Sequence, residues 1–228
     1  DAMEALMGSC NYFFCEMANR LTISQIDEVA KSLGLGELTG VELKEVAGYR
    51  SNAATLLTLQ NRKWSMFEQL QVGIGQSVNA FTPIQLASYA STLANAGTRY
   101  KATFLSRVVS SDYRELILKN QAQVLSTMTI SPEAHYMYLE GMKMVTSKPY
   151  GTAYSTFKNY PISVAAKTGS AQHGGEGPLN GAFICFAPAD NPQIAIAVYG
   201  EKIGGGSYLA PVAKAILDAY FGLDSTGE

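Results

Sequence analysis

The chain has 228 residues, 47% of them hydrophobic and 16% charged, which is enough to build one sizeable core. Its formal net charge is −2 and no basic run interleaves with aromatics, a composition that argues against nucleic acid as a partner. No apolar stretch nears the ~20 residues needed to cross a bilayer, no signal peptide is legible, and two histidines and three cysteines at no ligand spacing give no metal or cofactor site.

In chain order, Asp1 falls inside an expected helix, so the sequence reads as a later part of a longer one. Ser9-Cys10-Asn11 follows on a turn between a short apolar helix and an aromatic-rich one opening Tyr12-Phe13-Phe14. Ser24 with Asp27 reads as a capping box, and Ile26, Val29, Ala30 and Leu33 recur at helical spacing until Gly34 stops the helix. Thr82-Pro83-Ile84-Gln85 is a fuller box, with proline at the first helical position, and predicts a helix to about Asn95 with its end at Gly97. Residues 107–110 and 115–119 flank a Ser-Asp turn and predict a small hairpin. Ser131-Pro132 starts another helix, with Ala134, Met137, Tyr138, Met142 and Val145 on its apolar face. Three strands are expected at 162–172, 182–187 and 193–200, the last two joined by the turn-rich Pro188-Ala189-Asp190-Asn191-Pro192 and therefore antiparallel. A final helix carries Leu209, Val212, Ala213, Ile216 and Tyr220 on one side. The fold class is α+β: a helical part over about 1–160, then sheet strands and a closing helix over about 161–223.

The residues with chemical reach are few. Lys167-Thr168-Gly169, continued by Ser170-Ala171-Gln172, places a cation and two hydroxyls on a strand, with a glycine that lets a ligand's backbone come close. That set suits a substrate ending in a carboxylate. Ser9 and Asn11, two residues apart on a turn, can pass a proton and hold a peptide group from one side of a cleft. Taken alone such a pair is common, and Ser77-Val78-Asn79 repeats it as an ordinary turn. The cysteines Cys10, Cys15 and Cys185 read as free buried thiols, which leans towards a reducing compartment.

Order turns these pieces into a resemblance. Ser9-Cys10-Asn11, Gly73-Ile74-Gly75-Gln76, Thr82-Pro83, Ala94-Asn95-Ala96-Gly97, Gly151-Thr152-Ala153, Lys167-Thr168-Gly169-Ser170-Ala171-Gln172 and Phe186-Ala187-Pro188 follow one another along the chain. The set resembles the transpeptidase domain of penicillin-binding proteins, most closely the class B type, over residues 3–223. The resemblance implies a β-lactamase/transpeptidase-like fold, an antiparallel sheet packed on a mostly helical subdomain, with all 228 residues forming the C-terminal portion of a single domain.

It also implies a reaction. In that family an active-site serine attacks the penultimate D-alanine carbonyl of a peptidoglycan stem peptide and expels the terminal D-alanine. A neighbouring stem's amine then resolves the acyl-enzyme, and β-lactams stall it. Under the resemblance Ser9, Asn11 and Lys167 are catalytic: Ser9 relays a proton to the leaving nitrogen with help from Lys167, and Asn11 holds the substrate amide. Thr168 and Ser170 take the terminal carboxylate, and the backbone N–H of Ser170 serves the oxyanion hole. Gly169 keeps the approach open, and Ala171 and Gln172 extend the edge strand onto which the peptide adds. His173 stands just beyond, as a polar strand-end residue.

The family's nucleophile, the serine of S-x-x-K upstream of Ser9, is not among the 228 residues. The only S-x-x-K here, Ser155-Thr156-Phe157-Lys158, sits in what the family has as a connecting loop. The chain alone is therefore expected to be inactive. Its expected partners are D-Ala-D-Ala stem peptides, β-lactams and the upstream part of the same protein, on the outer face of a bacterial membrane, with an anchor upstream. The competing readings are a β-lactam sensor, a D,D-carboxypeptidase, a β-lactamase relative or a non-catalytic cell-wall-binding pseudoenzyme. Class A β-lactamases carry E-x-x-L-N before Lys-Thr-Gly, and no such motif occurs here.

Overall fold

The computed structural model describes residues 1–172 and 174–223. Its elements run α1 (Ala2–Met7), α2 (Asn11–Arg20), α3 (Ile23–Ser32), α4 (Ala53–Gln60), α5 (Met66–Gly73) and α6 (Pro83–Ala94). Then come β1 (Thr98–Tyr100), β2 (Arg107–Val109), β3 (Leu116–Lys119), β4 (Val124–Thr127), α7 (Pro132–Ser147) and α8 (Tyr154–Phe157). The chain closes with β5 (Ala165–Ala171), β6 (Asn180–Ala187), β7 (Ile194–Gly200), a single 3₁₀ turn at Gly206–Leu209, and α9 (Ala210–Phe221).

The three C-terminal strands form one antiparallel sheet in the order β5-β6-β7, with Lys167 opposite Ile184 and Phe183 opposite Val198. β6 is central, and its side chains alternate between two apolar clusters, as the two-residue period of a strand requires. Phe183, Cys185 and Ala187 join Phe157, Val164, Leu209, Ala213 and Leu217 on one face. Phe186 joins Leu33, Leu93 and Ala189 on the other. α7 serves both, giving Val145 to the first cluster and Met142 to the second. Beside this body stand two small antiparallel ribbons, β1 with β4 and the expected hairpin of β2 with β3.

The structure corrects several sequence expectations. Asp1 is not inside a helix but caps α1, its carboxylate accepting from the Glu4 N–H at 2.9 Å. The box that starts α3 is Thr22 with Gln25, whose longer side chain reaches back to the Thr22 N–H at 2.8 Å. Ser24 and Asp27 both lie inside the helix, past its capping positions, and Asp27 pairs instead with Arg50 at 2.9 Å. β5 begins at Ala165 rather than 162, because the Val164 carbonyl is taken by the Thr146 hydroxyl at 2.7 Å and that of Ser163 by the Ala189 N–H. β1 and β4 had no periodic signal.

The closing helix is turned from its expected face. Ala210, Ala213 and Leu217 are fully buried, whereas Val212, Ile216 and Tyr220 are 47%, 41% and 52% exposed. Two alanines let α9 lie close against the sheet, a benefit of small size that hydrophobicity alone does not reveal. The thiols are free as expected, yet Cys10 is exposed at the cap of α2 and only Cys185 is fully buried.

Candidate active site

β5 pairs with β6 alone among the described residues, so its other edge lies open. Beside that edge is a cleft of about 910 Å³, walled by the α1–α2 turn, the loop after α5, the turn after α7 and the 3₁₀ turn. Ser9, Asn11, Lys167, Thr168, Gly169, Ser170 and Gln172 all line it. Ala171, the last residue of β5, does not, and it pairs with Asn180 of β6. His173 lies outside the described residues. Thus seven positions singled out from sequence converge in one cleft, although Ser9 and Lys167 are 158 positions apart.

Ser9 reaches the cleft because the chain reverses sharply between α1 and α2, with Ser9 itself at φ 53°. The Cys10 N–H closes the turn on the Ala5 carbonyl at 2.9 Å. Leu6 of α1 abuts Gly141 of α7, and this packing fixes the turn against the sheet side of the molecule. Asn11 then opens α2, with its carboxamide on the cleft side.

Lys167 extends its ammonium to the Ser9 hydroxyl at 2.8 Å and to the Thr168 carbonyl at 2.7 Å. Burial, uncompensated by a carboxylate, pushes its pKa from 10.5 down to about 8. It is the only charged residue among the described residues lining the cleft, so the field there is positive and an anion is the favoured guest.

The open edge can be read from two hydrogen bonds. Lys167 Nζ takes the Thr168 carbonyl, and Gln76 Nε2 takes the Ser170 carbonyl at 3.3 Å across the cleft. Both carbonyls therefore point away from β6, and by strand geometry the N–H groups of the same two residues do so as well. A Cβ placed on Gly169 would meet only Ala182, at 3.6 Å, an ordinary contact. The fold leaves room for a side chain there that the sequence omits. Gly206 is the contrary case, since a Cβ on it would come within 2.4 Å of the Gly169 carbonyl, and glycine lets the 3₁₀ turn press against β5.

Sequence reasoning gave no role to Gln76, Thr152 or Ser207, all of which line the cleft. The first two lay within motifs noted for their order, and only a fold could show what they face. The Gln76 loop is built rather than loose: Asn79 Nδ2 donates to its carbonyl at 3.1 Å. Ser77, at φ 69°, donates to buried Glu68, which Arg62 also holds. Ser155 stands elsewhere, in a separate hollow beside Tyr160, Lys214 and Asp218.

A family model, the penicillin-binding protein transpeptidase domain, matches residues 1–218. The chain is 29% identical to the peptidoglycan D,D-transpeptidase MrdA of Acinetobacter baumannii, over 94% of this chain and 34% of that protein. It superposes on PBP2 of Pseudomonas aeruginosa, solved in complex with WCK 5153, with a TM-score of 0.83 and 27% identity over 96% of this chain and 47% of that one. Helicobacter pylori PBP2, solved in complex with MreC, gives a TM-score of 0.80 at 23% identity, covering 97% and 40%. The fold is that of these transpeptidase domains, and the chain spans about a third of the length of the curated relatives it matches.

Proposed function

The chain belongs to the penicillin-binding protein transpeptidase family, and from that premise we propose that its cleft is the acyl-transfer site of a peptidoglycan D,D-transpeptidase that β-lactams also occupy. The observation that carries this reading is the 2.8 Å contact of Lys167 Nζ with Ser9 Oγ, set beside an open strand edge. Such a contact lets Ser9 accept a proton from one partner while passing its own to another.

A stem peptide ending in D-Ala-D-Ala lies along β5, its backbone adding to the edge where the Ser170 carbonyl and N–H face outward. Its terminal carboxylate sits at the hydroxyls of Thr168 and Ser170 within the field of Lys167. Asn11 holds the substrate amide. The Ser170 N–H donates to the oxyanion that forms when the penultimate carbonyl is attacked, a contribution of about 3 kcal/mol per such donor in other enzymes. As the C–N bond breaks, Ser9 delivers a proton to the departing D-alanine nitrogen, and an amine of a second stem later takes the acyl group. The attacking serine comes from a segment outside these 228 residues, since no S-x-x-K opens into the cleft. The site works outside the cytoplasmic membrane, where its substrate is.

Fluorescent penicillin tests the reading. The full-length protein is expected to label, and Gly169→Ala is expected to abolish labelling without loss of melting temperature, because the added methyl makes only an ordinary contact with Ala182 in the fold but blocks the incoming peptide. The 228-residue chain alone is expected to gain no mass by intact-mass spectrometry. An unlabelled full-length protein, or a stoichiometric adduct on the short chain, would refute the assignment.

A further inference from the structure

The Gly151-Thr152-Ala153 turn has no place in the chemistry above, yet the fold sets it with care. It reverses the chain after α7, the Gly151 N–H donating to the Lys148 carbonyl at 2.8 Å and the Ala153 N–H to that of Val145 at 3.1 Å. A Cβ on Gly151 would come within 2.2 Å of the Val145 carbonyl, so only glycine lets the turn seat there. Ala153, 1% exposed, is locked into the core cluster with Phe157 and Val164. Held from both sides, Thr152 presents its hydroxyl 2.8 Å from that of Thr168, at the cleft wall.

A hydroxyl has one proton to donate. Given to a protein acceptor, that proton is lost to an anion, and the oxygen then meets the anion with a lone pair. At Ser170 the matter is decided by the Gly206 N–H, which can only donate and lies 3.2 Å from Ser170 Oγ. Ser170 accepts, and its own proton stays available. At Thr168 the neighbour is another hydroxyl, which can serve either way.

We propose that Thr152 is a positioning residue for the carboxylate subsite: its hydroxyl donates to Thr168 Oγ1 and so leaves the Thr168 proton free and aimed at the ligand. The inference rests on the reading of the cleft given under Proposed function. Thr152 and the Gly206 N–H then do the same work at successive hydroxyls of β5, turning two ambivalent groups into two donors. The subsite recognises a carboxylate in preference to an uncharged ester or amide, because only the anion repays two aligned donors and a nearby ammonium.

The test uses the full-length protein and two probes, benzylpenicillin and its methyl ester, with acylation rates followed by mass spectrometry. Thr152→Val is expected to slow acylation by the acid about tenfold, the effect of one hydrogen bond to a charged group, and to leave the ester rate unchanged. Thr152→Ser, which keeps the hydroxyl, is expected to match wild type. In a Thr168→Val background the Thr152→Val change is expected to have no further effect, since Thr152 acts through Thr168. Equal slowing of acid and ester, or additive losses in the double variant, would overturn the proposal. Wild-type protein that treats acid and ester alike would instead bring down the carboxylate reading itself, and this inference with it.

Discussion

Lys167 shows how the role proposed for a side chain can come at a cost to the fold. Its ammonium is buried without a carboxylate, and its pKa falls to about 8 against 10.5 when exposed. Between those values the unfolded chain holds a proton that the folded chain has released, so this residue makes stability rise with pH across that window. The penalty is full below pH 8 and gone above 10.5. Lys167→Met is therefore expected to stabilise the protein at pH 7, by at most about 3 kcal/mol, with the gain fading as pH approaches 10.5. Thermal melts of both proteins at pH 7 and above 10 would check this, and a variant destabilised at pH 7 would contradict it. The same variant is expected to lose penicillin labelling, as an active site that trades stability for charge should. The sequence made this lysine legible through its motif, but its burial and its Ser9 contact depend on residues 158 positions apart, which no local pattern encodes.

At the scale of elements, sequence chemistry was readable where it is local and failed where neighbours decide. The Thr82-Pro83-Gln85 start of α6 and the Ser131-Pro132 start of α7 stand as read, because a cap needs only four residues. The face of α9 did not, because the sheet chose its alanines over its larger side chains. Gln85 lies between these cases. Its carbonyl oxygen completes the expected box with the Thr82 N–H at 2.9 Å, while its buried Nε2 also donates to the carbonyls of Glu37 and Ala47, each at 2.7 Å. One side chain thus starts a helix and pins a distant loop. Thr82→Ala is expected to cost about 1 kcal/mol, a lost cap. Gln85→Ala removes the cap contact and both carbonyl contacts of a fully buried side chain and is expected to cost about 2–4 kcal/mol. The melting temperatures of the two variants in the full-length protein test this ranking, and equal shifts would reduce Gln85 to a simple cap.

Across the whole molecule, apolar burial is uneven. Both core clusters are built around the C-terminal sheet, and residues before α6 contribute only Leu33 to them. Meanwhile Leu57, Leu59, Met66 and Phe67, on α4 and α5, are 54%, 44%, 58% and 62% exposed. α4 concentrates its apolar residues on no single face and buries only Leu56 fully. An apolar surface of this kind is unusual on a stable monomer and marks a site of contact. The 228-residue chain on its own is accordingly expected to self-associate or to bind an apolar dye strongly. Light scattering coupled to gel filtration, with dye binding measured on the same fractions, distinguishes the cases. A monodisperse monomer of the short chain that leaves the dye dark would mean that these side chains need no cover. The cleft would then have to stand as a self-sufficient structure, with its wall of α2 and α5 held by their mutual packing alone.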